Sequence, residues 1–117
     1  MQRSTFLVAL ALAACCLVPG RDAVAADAAP SGEAVYEHWC APCHAPGPGH
    51  PGTQSLQVKY GGKTPPVLLE RTDLTPQAIA VFVRTGVLSM PPFRKTEVTD
   101  AELAALTAYI AQVPRKR

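Results

Sequence analysis

The sequence predicts a small, all-α domain without a β-sheet. Helix-start signals and apolar residues at helical spacing recur along the chain, whereas no segment has the pattern of a strand. Proline and glycine residues repeatedly interrupt these segments, so the predicted helices are short. A chain of 117 residues has room for one domain, which excludes a large enzyme with its own substrate domain.

The N-terminus has the organisation of an export signal. Arg3 precedes an uninterrupted apolar run over residues 6–14, and small residues at 23–26 form a cleavage site. We therefore expect a signal peptide over residues 1–26 and a periplasmic location. The apolar run is much shorter than the roughly 20 residues that cross a bilayer, so no membrane span is predicted.

An alternative signal ends before Cys15. Residues 12–15 match the pattern at which bacterial lipoproteins are cut, and a lipid on Cys15 would anchor the chain to a membrane. If cleavage instead follows residue 26, the rest of the chain divides into three parts. These are a flexible lead-in at 27–31, one domain over 32–113 and a basic tail at 114–117.

The exported part is nearly neutral and short of large side chains. Residues 1–26 hold two basic and one acidic residue, so their removal leaves 91 residues with nine basic and eight acidic side chains. A net charge of +1 does not provide the excess of basic residues that nucleic-acid binding requires, so nucleic acid is not a predicted partner. Only six aromatic residues remain beside eleven prolines. This scarcity indicates that something other than side chains fills the centre of the domain.

The first helix is predicted to begin after Ser31, which suits the N-cap position. It carries Tyr36 and Trp39 towards Cys40. Seven of the eleven residues over 42–52 are proline or glycine, so this stretch is predicted to be a loop.

Two short helical segments are predicted between the next glycine and proline pairs. The first covers residues 56–60 and the second covers residues 67–71. Thr75 and Pro76 form a cap followed by a proline at the first helical position, and Gly86 ends the helix that they open.

The last helix is predicted to begin at Thr99, because Glu102 three residues later completes a capping box. Apolar residues at helical spacing give this helix one apolar face, which is typical of a helix that packs on a core. The face comprises Leu103, Leu106, Ile110 and Val113.

The most specific motif in the chain is Cys40-Ala41-Pro42-Cys43-His44. It matches Cys-x-x-Cys-His, the attachment site of c-type haem. Two thiols three residues apart can each add to a vinyl group at the porphyrin edge, and the adjacent imidazole can reach the iron. The motif predicts one haem c per chain, bonded to Cys40 and Cys43, with His44 as an iron ligand.

Three other interpretations of the cysteine pair stay open. A thioredoxin-like redox pair requires a βαβ unit, and no strand is predicted before this motif. A structural zinc site requires four ligands, and only His38 and His50 are available besides the motif residues. A buried and chemically inert pair would make the adjacent histidine a coincidence.

Met90 is the predicted second iron ligand. It is the one methionine after the export segment, and it lies in a predicted loop that Pro91 and Pro92 stiffen. Histidine and methionine together raise the reduction potential and leave no open position on the iron, which favours electron transfer. His38 and His50 are the alternative sixth ligands.

This set of motifs resembles that of class I c-type cytochromes over residues 32–113, and the further matching residues are Gly32, Tyr36, Leu106 and Tyr109. The resemblance implies a small fold in which the N- and C-terminal helices cross around one covalently attached haem. Gly32 would permit the close approach of these helices, and Tyr36 would pack with Leu106 and Tyr109. The resemblance also implies that a loop carbonyl, here that of Pro51, bonds to His44.

Other segments are similar to one subgroup, the cytochrome subunits of p-cresol methylhydroxylase and related 4-alkylphenol or eugenol flavocytochromes. These segments are residues 51–53, 58–61, 71–76, 83–87 and 93–97. In that family a flavoprotein (FAD) subunit oxidises the phenol and passes electrons singly to the cytochrome, which hands them to a downstream redox acceptor. The resemblance implies an electron-transfer subunit that is not itself an enzyme.

Two other functional classes stay open. The chain could be a free, diffusible periplasmic carrier or the cytochrome partner of another dehydrogenase. It could also be a haem enzyme or sensor with an open iron site. Arg94 and Lys95, close to Met90 in the sequence, are candidates for contact with a partner.

Overall fold

A computed structural model describes residues 29–112 of the chain. Its helical elements are α1 (Gly32–Val35), a π-helical turn (Tyr36–Cys40), α2 (Ala41–His44), α3 (Pro51–Tyr60), a 3-10 turn (Leu68–Glu70), α4 (Pro76–Thr85) and α5 (Asp100–Gln112). The described residues form no sheet, and one isolated bridge joins Val87 and Met90. The predicted all-α fold class is confirmed, and it is compatible with a small class I cytochrome c fold.

Several predictions fall outside the described residues. They are the signal peptide at 1–26, the lipidation site at Cys15, the first residues of the lead-in, the end of the last helix at Val113 and the basic tail at 114–117. Within residues 29–112, no helix is both long enough and apolar enough to cross a bilayer.

The first helix begins as predicted. Ser31 is the N-cap of α1, and its hydroxyl oxygen accepts a hydrogen bond from the backbone N–H of Ala34 at 3.1 Å. The helix then widens into the π-turn, in which the N–H of Ala41 bonds to the carbonyl of Tyr36, five residues earlier. Tyr36 and Ala41 therefore lie one above the other, and both are buried.

The first and last helices pack closely against each other. A Cβ atom at Gly32 would lie 2.1 Å from the backbone oxygen of Ala105 and 2.7 Å from Cβ of Tyr109, so only glycine fits there. Tyr36 is 1% exposed, and its ring centroid lies 5.9 Å from that of Tyr109. The close approach at Gly32 and the contact of Tyr36 with Tyr109 are confirmed.

The last helix has the predicted capping box. The Thr99 hydroxyl accepts a hydrogen bond from the N–H of Glu102 at 3.2 Å, and the Glu102 carboxylate accepts one from the N–H of Thr99 at 2.8 Å. Its buried face meets α1 and α4 to form the core. The core residues of α5 are Leu103, Leu106 and Ile110.

The middle of the chain is more helical than predicted. Helix α3 begins at Pro51, inside the stretch predicted to be a loop, and runs for ten residues to Tyr60. A proline loses nothing as the first residue of a helix, because its missing N–H would be unpaired there. The buried Thr53 hydroxyl also donates to the carbonyl of Ala45 at 3.0 Å, which fixes this helix against the end of α2.

The remaining predicted helices are present with adjusted lengths. The segment predicted at 67–71 is a single 3-10 turn. Helix α4 begins after Thr75, whose hydroxyl accepts from the N–H of Ala78 at 3.2 Å, and it ends at Gly86 with a φ of 69°. The cap, the proline and the terminal glycine predicted for this helix are all confirmed.

Candidate haem site

A cavity of about 720 Å³ lies between α2, α3, α4 and the loop that follows α4. Its volume is within the range of cofactor sites in proteins. Most of its wall is apolar, with contributions from Leu56, Leu68, Leu74, Phe82, Val83 and Ile110. The centre of the domain is thus open to a large apolar group, in agreement with the scarcity of large side chains.

Both cysteines of the motif line this cavity as free thiols. Cys40 is buried and Cys43 is exposed, so the first thiol lies deeper than the second. Burial, with a smaller contribution from the neighbouring Cys43, raises the pKa of Cys40 to about 11. A raised pKa favours the neutral thiol over the thiolate at this buried position.

His44 is the last residue of α2 and lines the same cavity. Burial lowers its pKa, which favours the neutral imidazole with a free lone pair. The ring lies against α3, since a Cβ atom on Gly52 would be 2.6 Å from its Cε1 atom. Glycine at position 52 therefore lets the helix backbone touch the imidazole.

The surroundings of His44 differ from the prediction in one respect. Its buried Nδ1 atom makes no hydrogen bond, so the predicted bond to the carbonyl of Pro51 is wrong for this structure. Pro51 is the first residue of α3, where a carbonyl is directed along the helix axis and not across to a neighbouring ring. The backbone of His44 is held instead by the Tyr36 hydroxyl, which donates to the His44 carbonyl at 3.4 Å.

Met90 lines the cavity from the loop after α4. Its backbone pairs with Val87 through two hydrogen bonds of 2.9 and 3.0 Å, which close a tight turn. Gly86 packs against this turn, because a Cβ there would lie 2.7 Å from the Met90 carbonyl oxygen. Leu88, at the tip, has a φ of 53° and a residue exposure of 93%.

Arg84 fixes the segment that follows Met90. Its Nη1 atom donates to the carbonyls of Phe93 at 3.1 Å and Val98 at 2.8 Å, and its Nη2 atom donates to Asp100 at 2.9 Å. One side chain of α4 thereby joins this segment to the start of α5. The position of the Met90 turn rests on these bonds and on the bond from the Phe93 N–H to the Val83 carbonyl at 2.8 Å.

The alternative ligands lie elsewhere. His38 is exposed on the π-turn, and its ring packs edge-on against Trp39. His50 has its Nδ1 atom 3.1 Å from the carbonyl of Pro42. Neither histidine lines the cavity.

Over residues 29–112, no three His, Cys, Asp or Glu side chains cluster so as to hold a metal ion. The zinc interpretation therefore has no ligand set within these residues.

Two cationic side chains in the cavity wall, Lys59 and Arg71, were not among the predicted site residues. Arg71 is buried although arginine is ordinarily exposed, and its guanidinium bonds to both carboxylate oxygens of Asp73. The only sign of this burial in the sequence is the pair Arg71-x-Asp73 beside apolar residues. Such a pair also occurs on protein surfaces, so it does not indicate that Arg71 is buried.

The predicted partner contacts, Arg94 and Lys95, are exposed. Each forms an ion pair within the chain, Arg94 with Glu97 at 3.2 Å and Lys95 with Asp100 at 2.7 Å. Their contact with a partner protein stays a prediction.

These residues together suit a haem c group. Two thiols, an imidazole and a thioether all line one apolar cavity, and the two thiols and the imidazole belong to the three defining residues of the attachment motif. A thioether and an imidazole are the donors that hold iron in electron-transfer haems.

Comparison with known proteins gives one family. The family model described as cytochrome c oxidase, cbb3-type, subunit III matches residues 27–110. No curated protein and no solved structure gives a significant match. A domain of this family carries covalently bound haem c with its iron and exchanges electrons with a redox partner. With nearly three-quarters of its residues matched, the chain belongs to this family of c-type cytochrome domains.

Proposed function

We propose that this chain is a periplasmic, single-haem electron-transfer protein. Cys40 and Cys43 would bond covalently to the haem, and His44 and Met90 would be the ligands of its iron. The observation that supports this assignment best is that all four side chains line one apolar cavity, although Met90 is far from the others in the sequence. The other histidines of the described residues do not line it.

The chemistry of this ligand set favours electron transfer. His44 and Met90 would both ligate the iron, which would leave no position open to a substrate and would raise the reduction potential. The apolar wall would limit contact between water and the iron, and the hydrogen-bonded turn at Met90 would restrain the thioether in both oxidation states. A coordination shell that changes little between these states lets electrons transfer at low cost.

Replacement of Met90 tests the second ligand. We expect Met90→Ala to lower the midpoint potential and to let the ferrous protein bind carbon monoxide, because one position on the iron becomes open. Ser89→Ala is the matched control, since Ser89 is the adjacent residue of the same turn and also lines the cavity. An unchanged potential in Met90→Ala would refute the assignment of Met90.

Replacement of both cysteines tests the attachment. Cys40→Ala with Cys43→Ala should yield protein without haem on a denaturing gel, because no thioether bond can form. The control is Cys15→Ser with Cys16→Ser, which removes the two thiols outside the motif. Covalent haem that survives the first double substitution would refute the attachment site.

The proposed electron donor is a flavoprotein (FAD) subunit that oxidises p-cresol or a related 4-alkylphenol. The support is the similarity of five segments of the sequence to the cytochrome subunits of such flavocytochromes. On this proposal the chain accepts single electrons and passes them to a downstream acceptor.

The second candidate function is that of a diffusible carrier or of the partner of another dehydrogenase. The family match favours it, because that match specifies a cytochrome domain and does not specify a flavoprotein.

Size-exclusion chromatography of the native protein separates these candidates. Haem and flavin absorbance should elute together, at a mass well above that of one chain, if the flavocytochrome proposal is right. Haem that elutes alone at the mass of one chain, even from a mildly crosslinked extract, would refute it and support the carrier.

The proposed location rests on the export signal at residues 1–26. Mass spectrometry of the exported protein should give an N-terminus at Asp27, with the lead-in, the domain over 32–113 and the tail at 114–117 retained. A lipid-modified N-terminus at Cys15 would support the membrane-anchored alternative instead.

A further inference from the structure

The charged part of the cavity wall is confined to one corner. Lys59 and Arg71 line the cavity, whereas no Asp or Glu of the described residues does so. Both cations lie by the ring of Tyr60, with Lys59 Nζ 5.5 Å and Arg71 Cζ 4.8 Å from its centroid. This corner, formed by Lys59, Tyr60 and Arg71, is here called the cationic corner, and its chemistry suits an anion.

Arg71 is the most constrained residue of the cationic corner. Its side chain is only 8% exposed, and its Nε atom donates to Asp73 Oδ1 at 2.8 Å while Nη2 donates to Oδ2. This contact uses one edge of the guanidinium and two of its five N–H donors. Asp73 itself is 56% exposed and lies outside the cavity wall, so it orients the guanidinium from the solvent side.

A haem c group brings two carboxylates into this cavity. Its vinyl groups are consumed by the two cysteines, but its two propionate side chains remain. A carboxylate in an apolar cavity is costly unless it is paired and hydrogen-bonded. A fixed arginine edge is well suited to a carboxylate because its planar fork can donate two parallel hydrogen bonds.

We propose that the cationic corner binds a haem propionate, with Arg71 as its principal partner. The inference rests on the proposed function, since it requires the haem that Cys40 and Cys43 attach. Arg71 then has a second effect on electron transfer. A buried positive charge close to the haem disfavours the oxidised form, which carries one more positive charge, so Arg71 raises the midpoint potential.

The decisive comparison is between Arg71→Gln and Asp73→Asn in the haem-loaded protein. Both substitutions break the same ion pair, but only the first removes the cation. We expect Arg71→Gln to lower the midpoint potential and to shift the propionate bending band in the resonance Raman spectrum. We expect Asp73→Asn to leave the potential unchanged or raised. If Arg71 had only a structural role, both substitutions would move the potential in the same direction.

Two further variants complete the test. Arg71→Lys keeps the charge but loses the planar fork, so its potential should stay near that of the wild type while the Raman band shifts. It also serves if Arg71→Gln yields no haem-loaded protein. Lys95→Gln removes an exposed cation outside the cavity wall and should leave the Raman band unchanged.

The outcomes separate this inference from the proposed function. A wild-type protein without covalent haem would refute the proposed function. A haem-loaded wild type whose propionate band is unchanged in both Arg71 variants would refute only the binding of propionate by the cationic corner.

Discussion

The contact between the first and last helices allows a quantitative test through Gly32→Ala. The new Cβ would lie 2.1 Å from the Ala105 oxygen, whereas ordinary contact begins near 3.4 Å, so the helices must separate by about 1.3 Å. The obstacle is backbone, which cannot move away by a change of rotamer. Overpacking of this kind costs about 3 kcal/mol, and the better helix propensity of alanine returns at most about 1 kcal/mol. The net loss is about 2 kcal/mol.

Thermal unfolding of the haem-loaded protein, followed by far-ultraviolet circular dichroism, measures this loss. For a domain of this size, about 2 kcal/mol lowers Tm by roughly 8–16 °C. Gly49→Ala is the control, because no atom lies within 4 Å of its new Cβ and only its φ of 89° opposes the substitution. That change should cost about 1 kcal/mol. A Tm of Gly32→Ala equal to or above the wild-type value would refute the reasoning, since helix propensity alone predicts that result.

Three further predictions concern single side chains. Thr99→Ala removes the cap of α5 and should cost about 1 kcal/mol in urea unfolding, and an unchanged midpoint would contradict a role for the cap. Arg84→Gln removes charged hydrogen bonds to two loop carbonyls and should cost about 3 kcal/mol, with Met90 lost from the iron at lower urea concentration than in the wild type. The hydrogen bond from Arg71 lowers the pKa of Asp73 below its usual 3.8, so this pair stabilises the fold above pH 3.8. The difference in unfolding free energy between wild type and Asp73→Asn should narrow as pH falls below that value, and a constant difference would argue against the pair.

The sequence predicted best the features that depend on neighbouring residues. The caps at Ser31, Thr75 and Thr99 are each satisfied within three residues of the chain, so local chemistry determines them. The grouping of His44 with Met90 at one cavity was also predictable, because an electron-transfer haem of the His/Met type needs a second iron ligand and residues 27–117 hold one methionine.

Features that depend on tertiary contacts could not be predicted in this way. A proline such as Pro51 is compatible with both a loop and a helix start, and the contact of Thr53 with Ala45 favours the helix. The burial of Arg71 depends on Asp73 and on the ring of Tyr60, eleven residues earlier in the chain. The unpaired Nδ1 atom of His44 is a property of how α3 meets α2, which no local pattern records.

The π-turn between α1 and α2 has a consequence for changes in chain length. In a regular α-helix, Tyr36 and Cys43 would share a face, because seven residues make nearly two full turns. The π-turn holds one residue more than an α-helical turn, so Tyr36 faces the core while Cys43 is exposed to the cavity. Deletion of the exposed Glu37 should convert the turn to α-helix. Tyr36 should then still face the core, and Cys43 should still face the cavity. The protein should therefore still attach haem after this deletion, whereas insertion of a residue at the same point would rotate the thiols away from the cavity.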